Sequence, residues 1–215
     1  MQPGNSSQLR DLVQQDVPQQ FLVDVIIFLR STYSSVHNYV YSEFNVAVAK
    51  DLLPYFRRAR IEDGIKPIAE RYDRIKVKTE RNDANNCSHN VITCDRIVLT
   101  LSLVNSPNEL IRSANFRHTL AKSSQLELFD DDNKCSGDFY YGIILHGAPE
   151  PDTKFPSFVR LVFPSKSCTR YVESIDLLKF CNFDASKYSS GLEEVIDDMI
   201  LKPEFRTDLQ KQKEA

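Results

Sequence analysis

The sequence predicts an α+β domain in which three main helices pack on an antiparallel sheet. Three observations lead there. Phe21, Leu22, Val25, Ile26 and Leu29, with Tyr33 one turn further on, recur at helical spacing. Ile75 and Val77 alternate with Arg74, Lys76 and Lys78, and Ile97, Leu99, Leu101 and Leu103 alternate with Val98, Thr100 and Ser102, which is the period of a strand. The run FYYGIIL (139–145) is almost unbroken in apolar character, as a strand buried on both faces requires. Segregated helical and strand patterns of this kind describe helices layered on one sheet.

Taken in order, residues 1–15 are polar and rich in Gln and Ser, and are expected to fray. Asp16 is placed to cap the first helix, whose early Pro18 needs no amide donor there. Val36 to Val48 mixes β-branched and aromatic residues in loose alternation, which predicts one or two short strands. A second helix follows from about Asp51 to Glu70, with Pro54 tolerated in its first turn and Pro67 bending or ending it early. Tyr72 to Glu80 reads as a strand with one wet face, Arg81 to Asn90 as a polar loop, and Ile97 to Leu103 as the hairpin partner.

Ser106-Pro107-Asn108-Glu109 has the composition of a capping box: Ser caps, Pro takes the first helical position and Glu bonds back. It predicts a helix to about Ser123 with Leu110, Ala114, Leu120 and Ala121 inward. DDDNKCSG (130–137) is a turn, and Phe139 to His146 a buried strand. The Pro-rich connector APEPDTKFP (148–156) leads to strands at Phe158–Phe163 and Tyr171–Phe180, joined by SKSCT. The domain is expected over 16–181. The tail, 182–215, carries a short amphipathic pattern at Leu192, Val195, Ile196 and Met199 and then a charged end.

Composition narrows the function. The chain has 41% hydrophobic and 27% charged residues and a formal net charge of −3. A dedicated phosphate-backbone binder shows a basic excess, so direct nucleic-acid binding is disfavoured. The first residues show neither the basic region nor the apolar core of a signal peptide, and FLVDVIIFL is interrupted by Asp24 and too short to span a bilayer. The expectation is an intracellular protein without a membrane segment. Five irregularly spaced cysteines (87, 94, 135, 168, 181) suit unpaired thiols in a reducing compartment.

No constellation supports catalysis. Cys87-x-His89…Cys94 is half a zinc site with too tight a first spacing. His118, beside Arg117, and His146, at a strand end, read as structural. Asp130, Asp131 and Asp132 lack the spaced oxygen ligands of a calcium loop. Neither a G-x-S-x-G nor a P-loop pattern occurs, and no metal or cofactor is expected. What the pattern leaves is a sheet edge: the 139–146 strand, followed by a connector, either accepts an extended peptide or is an interior strand paired within its own domain.

A family resemblance runs through Val25–Val77. FLRSTY (28–33), Phe44-Asn45-Val46 and Ile65-Lys66-Pro67-Ile68 stand in the order of an aliphatic helix with Arg-x-x-Tyr, an aromatic-Asn-Val strand, and a helix with aliphatic-Lys-Pro-aliphatic. Further on come the segment from Phe116 to His146, then RLVFPSK (160–166) and ESIDLLKF (173–180). In these features the chain resembles the HORMA domain family, particularly its translesion-polymerase branch.

The resemblance implies a non-catalytic adaptor in which a C-terminal safety belt wraps a partner peptide laid beside an edge strand. Tyr140, Gly142 and Ile144 would line the peptide path, and Phe155, Phe158 and Phe163 would lie in the belt. Arg117 would fall on a HORMA–HORMA dimer surface. Leu161, Asp176 and Leu178 would meet a Rev-one-like scaffold. It further implies the catalytic subunit of DNA polymerase zeta as the source of the peptide, DNA damage tolerance by lesion bypass as the process, and the nucleus, with the cytoplasm also open, as the location. The connector before RLVF is shorter than the family's belt. Spindle-checkpoint, meiotic and autophagy adaptors share the fold and stand as alternatives. So does a small nucleic-acid-binding module using Arg57, Arg58, Arg60, Arg71 and Arg74 with Tyr55, Phe56 and Tyr72.

Overall fold

A computed structural model of the chain describes residues 4–82, 87–124, 139–150 and 152–188. The chain divides into a unit of residues 1–183 and a second of 184–215. In the second, a 3-10 turn at Ala185–Tyr188 is described, and the pattern at Leu192–Met199 lies outside the described residues. The turn expected at 130–137 also lies outside them.

The first unit is α+β. Its helices are α1 (Gly4–Asp16), α2 (Gln19–Glu43), α3 (Val46–Ala69), α4 (Asn115–Ser123) and α5 (Leu177–Phe180). Its strands are β1 (Ile75–Arg81), β2 (Ser88–Cys94), β3 (Ile97–Leu103), β4 (Tyr140–Gly147), β5 (Phe158–Pro164) and β6 (Tyr171–Asp176). They form one sheet in the order β1-β2-β3-β4-β5-β6. Every pairing is antiparallel except β3 with β4, which is parallel. That exception follows from the crossover through α4, which returns the chain to the same end of the sheet.

The N-terminal segment is helical where fraying was expected. Leu9, Val13 and Val17 recur every fourth residue and are all buried, so one apolar stripe suffices to dock a polar helix. Asp16 does not cap α2; Pro18 occupies that position. The Asp16 carboxylate instead takes a two-pronged contact from Arg96, with Nε and Nη2 each at 2.8 Å, and ties α1 to the β2–β3 turn.

The strands expected between Val36 and Val48 are absent. Tyr33, Val36 and Val40 extend the helical face of α2, and Val36 and Val40 pack on Ala49 and Leu53 of α3. Phe44-Asn45-Val46 is therefore a helix–helix turn and not a strand. The Asn45 side chain caps α3 by accepting from the Val48 amide at 3.1 Å. Both Pro54 and Pro67 lie inside α3, and the helix continues past each, because Leu53, Ile61, Ile65 and Ile68 anchor it to the layer beneath.

The partner of β1 is β2, not β3: a strand that the sequence pattern did not show begins at Ser88, inside the polar stretch, and runs to Cys94. The capping box also behaves differently. Glu109 accepts from the amides of Asn105 (2.8 Å) and Ser106 (3.3 Å), yet no helix propagates until Asn115. Tyr171 prevents it: its hydroxyl donates to Glu109 O at 2.8 Å and accepts from Ile111 N at 3.1 Å, taking the backbone groups a helix would use.

The sheet is covered on both faces. Tyr141, Ile143 and Leu145 of β4 join Val98, Val162, Ile111 and Ala121 on the α4 side. The alternate residues Gly142, Ile144 and His146 face the layer of α2 and α3, with Leu99, Leu161 and Phe163 beside Gly142. Gly147 closes the strand, and only glycine fits: a Cβ there would stand 1.7 Å from Val104 O.

Candidate functional site

The site that the sequence points to is β4 with the arm that follows it, and its geometry begins with what holds that arm. The connector from Ala148 to Ser157 lies against α2 and α3 and is fastened chiefly by cationic side chains. Arg57 of α3 donates to Thr153 O, Lys50 pairs with Asp152 at 3.1 Å, and Arg30 of α2 lies 4.7 Å over the ring of Phe155. The Lys50 contact holds the Asp152 carboxyl below, and the Lys50 amine above, its ordinary value. Both are solvent-exposed groups, so this ion pair positions more than it stabilises.

Beneath the connector is a buried polar cluster. Tyr33 Oη and His146 Nδ1 are 2.9 Å apart and both residues are buried. The Arg57 guanidinium lies 4.2 Å over the Tyr33 ring and is itself only 3% exposed. Burial first, and the Arg57 charge second, push the His146 imidazole down to about 3. Burial raises the Tyr33 phenol well above its ordinary value, with Arg57 opposing. His146 is therefore a neutral ring engaged with a neutral phenol at physiological pH. Arg57, one of a run of basic residues in sequence, is a structural cation that joins α3 to the connector.

The remaining expected residues are distributed as follows. Tyr140 is half-buried at the start of β4, and its amide donates to Arg96 O at 2.7 Å. Gly142 pairs with Leu99 of β3, and Ile144 stands between Leu101 of β3 and Leu161 of β5, the β5 pairing running from Ile143 to Gly147. β4 is thus not an edge strand in this structure. Leu161 and Phe163 are fully buried on the helix-covered face, Phe158 is half-buried, and Phe155 is exposed on the connector. Leu161 consequently offers no side-chain surface to a second partner. Asp176 ends β6 and caps α5, accepting from the amides of Leu178 (3.1 Å) and Lys179 (3.3 Å). Arg117 lies on the opposite face of the sheet, donating to Arg112 O and Ser102 Oγ.

The other constellations separate. His89 stacks on Phe116 of α4 with ring centroids 3.7 Å apart, while Cys94 is buried toward the other face of the sheet. Among the described residues no three His, Cys, Asp or Glu side chains gather as a metal cage would. The basic and aromatic set is dispersed as well: Arg57 is buried, Arg74 pairs with Asp95, and Tyr72 donates to Asp24 at 2.8 Å.

Among the described residues, β1 and β6 each have one hydrogen-bonded neighbour strand and form the two edges. They differ in chemistry. β1 carries Lys76, Lys78 and Arg81, the charges that discourage strand pairing at an edge. β6 reads YVESID, with no basic residue, and Val172 is 36% exposed. Sequence reasoning missed this edge because it assigned Tyr171–Phe180 to the same strand role as the arm before it. Comparison with protein-family models, with curated proteins and with solved structures finds no match to this chain.

Proposed function

We propose that this chain is a non-catalytic adaptor, of HORMA-like organisation, that holds an extended segment of a larger protein by strand addition. The observation that carries it is the β6 edge, which follows the segment that the resemblance makes a belt, ends at Asp176 of the second-partner surface, and bears none of the basic residues that protect β1.

Magnitudes favour β6 over the flank of β4. Opening that flank would expose Val159, Leu161, Val162 and Phe163, each 1% exposed or less. At about 1.5–3 kcal/mol per buried side chain, the cost is on the order of 6–12 kcal/mol, comparable to the whole stability of a domain at roughly 5–15 kcal/mol. Addition at β6 leaves these four side chains buried. The captured segment contributes backbone hydrogen bonds, and its alternate side chains meet Val172 and Ser174 on one side of the strand and Glu173 on the other. Asp176 ends this edge and Leu178 follows it in α5. The pathway, nuclear lesion bypass with a peptide from a translesion polymerase catalytic subunit, is drawn from the Val25–Val77 resemblance.

The test is Val172→Lys, which adds a gatekeeping charge to an exposed position. It should leave the thermal transition in place and weaken capture of an extended peptide, selected from a display library against the full chain, by about tenfold or more. Equal capture by both proteins would remove β6 as the site.

A further inference from the structure

On the face of the sheet remote from α2 and α3, a cavity of about 180 Å³ opens between the start of α4 and the β5–β6 turn. The residues that line it include Arg112, Arg117, His118, Ser113, Ser167 and Thr169, with no acidic residue among them. We infer that this cavity binds a single tetrahedral oxyanion of the phosphate class, either free phosphate or a phosphoryl group carried on a serine.

Four features support this assignment, and none depends on the adaptor function. The first is the state of Arg117. Its terminal nitrogens donate to Arg112 O at 3.0 Å and Ser102 Oγ at 3.3 Å, the Tyr141 phenol is a further partner, its guanidinium lies 5.1 Å from the Phe116 ring, and its Nε is buried without a hydrogen-bond partner. No described acidic side chain lies within ion-pair distance of it. Glu62 senses the charge at longer range but is itself bonded to Asn90, at 2.9 Å from both its amide and its side-chain nitrogen. A cation held in place by neutral groups retains its charge for an incoming anion.

The second is α4 itself. Its cap residue is Ala114, which lines the cavity and supplies no side-chain oxygen to the first turn. The third is the hydroxyl rim. Ser113 Oγ lies 2.9 Å from His118 Nε2, and Ser167 Oγ lies 2.8 Å from Thr169 Oγ1, giving donors on both sides of the opening. The turn that presents the second pair is fixed by the Cys168 amide, which donates to Ser165 O at 2.8 Å, and by a positive φ of 56° at Cys168.

The fourth is size. At about 180 Å³ the cavity is smaller than the ~300–1,000 Å³ typical of sites for drug-sized ligands. That is room for one oxyanion with its waters. Arg112 is exposed and has no ion-pair partner among the described residues, so it is the arm free to close over a bound anion.

The experiment is a titration of the full chain with inorganic phosphate and, separately, with O-phosphoserine, followed by amide chemical shifts at constant ionic strength in chloride. Saturable shifts are expected at Ser113–His118 and Ser167–Thr169, and Arg112→Gln should weaken binding by about tenfold, the loss of one charge-assisted hydrogen bond. Because Arg112 is exposed, that variant keeps the fold, which the unchanged remainder of the spectrum verifies. Tighter binding of phosphoserine assigns the site to a modified chain; tighter binding of phosphate assigns it to the free ion. No saturable shift at these amides, or the same affinity in Arg112→Gln, would overturn the inference.

Discussion

Tyr33 and His146 stand 113 positions apart in the chain and share a 2.9 Å hydrogen bond inside the domain, joining α2 to the end of β4. Arg57 lies over the same tyrosine ring and reaches the connector, so one buried cluster links two helices, a central strand and the start of the C-terminal arm. Removing the hydroxyl with Tyr33→Phe leaves the His146 nitrogen buried without its partner. The expected loss is about 1–3 kcal/mol in urea unfolding, with the m-value unchanged.

The same pair sets a pH dependence. His146 has an ordinary value of 6.5 and a folded value pushed down to about 3, so between these limits the unfolded chain binds a proton that the folded chain does not. Its contribution is complete above pH 6.5 and is lost as the pH falls toward 3. Wild-type stability should therefore drop on acidification from pH 6.5 to 4.5 by up to about 1.4 kcal/mol per pH unit more than that of His146→Gln. Parallel curves for the two proteins would show that the imidazole is not held neutral.

Gly147 tests the packing at the strand end. Gly147→Ala places a Cβ against the carbonyl of Val104, a backbone atom that cannot swing aside. A loss of about 1–3 kcal/mol or more is expected by calorimetry. Gly64→Ala meets only the ring of Phe28, which can turn, and should cost less.

The connector clamp separates strong from weak contacts. Lys50→Ala removes an exposed ion pair and should leave the unfolding midpoint almost unchanged. Arg57→Ala removes a buried cation that covers Tyr33 and holds Thr153 O, and should speed hydrogen exchange in the connector as well as lower the unfolding midpoint.

What could be read from the sequence was what burial writes into periodicity. The α+β class, the helical face from Phe21 to Tyr33 and the buried strand at 139–146 follow from apolar spacing alone. The misreadings have physical causes. Val36 and Val40 are β-branched and suggest strand, but their four-residue spacing continues α2 and finds Leu53 of α3. The Ser106–Glu109 box forms its hydrogen bonds locally and is denied a helix by Tyr171, a residue far along the chain. β2 alternates too weakly to be noticed, since buried His89 and Asn90 stand where apolar residues would signal a strand. Arg57 gave no sign in sequence of being buried, because a clamp on a distant carbonyl has no local pattern.

The position of β4 between β3 and β5 was likewise beyond local pattern, since an apolar strand fits an interior or a covered edge equally well. Strand order fixes it, and moves the available edge from β4 to β6.

Hydrogen exchange on the full chain, with and without a display-selected extended peptide, tests strand addition most directly. The account predicts new protection at those amides of Tyr171–Asp176 that do not already bond β5, with β4 and β5 unchanged and the effect lost in Val172→Lys. Loss of protection along β4 and β5, or no change at β6, would contradict it.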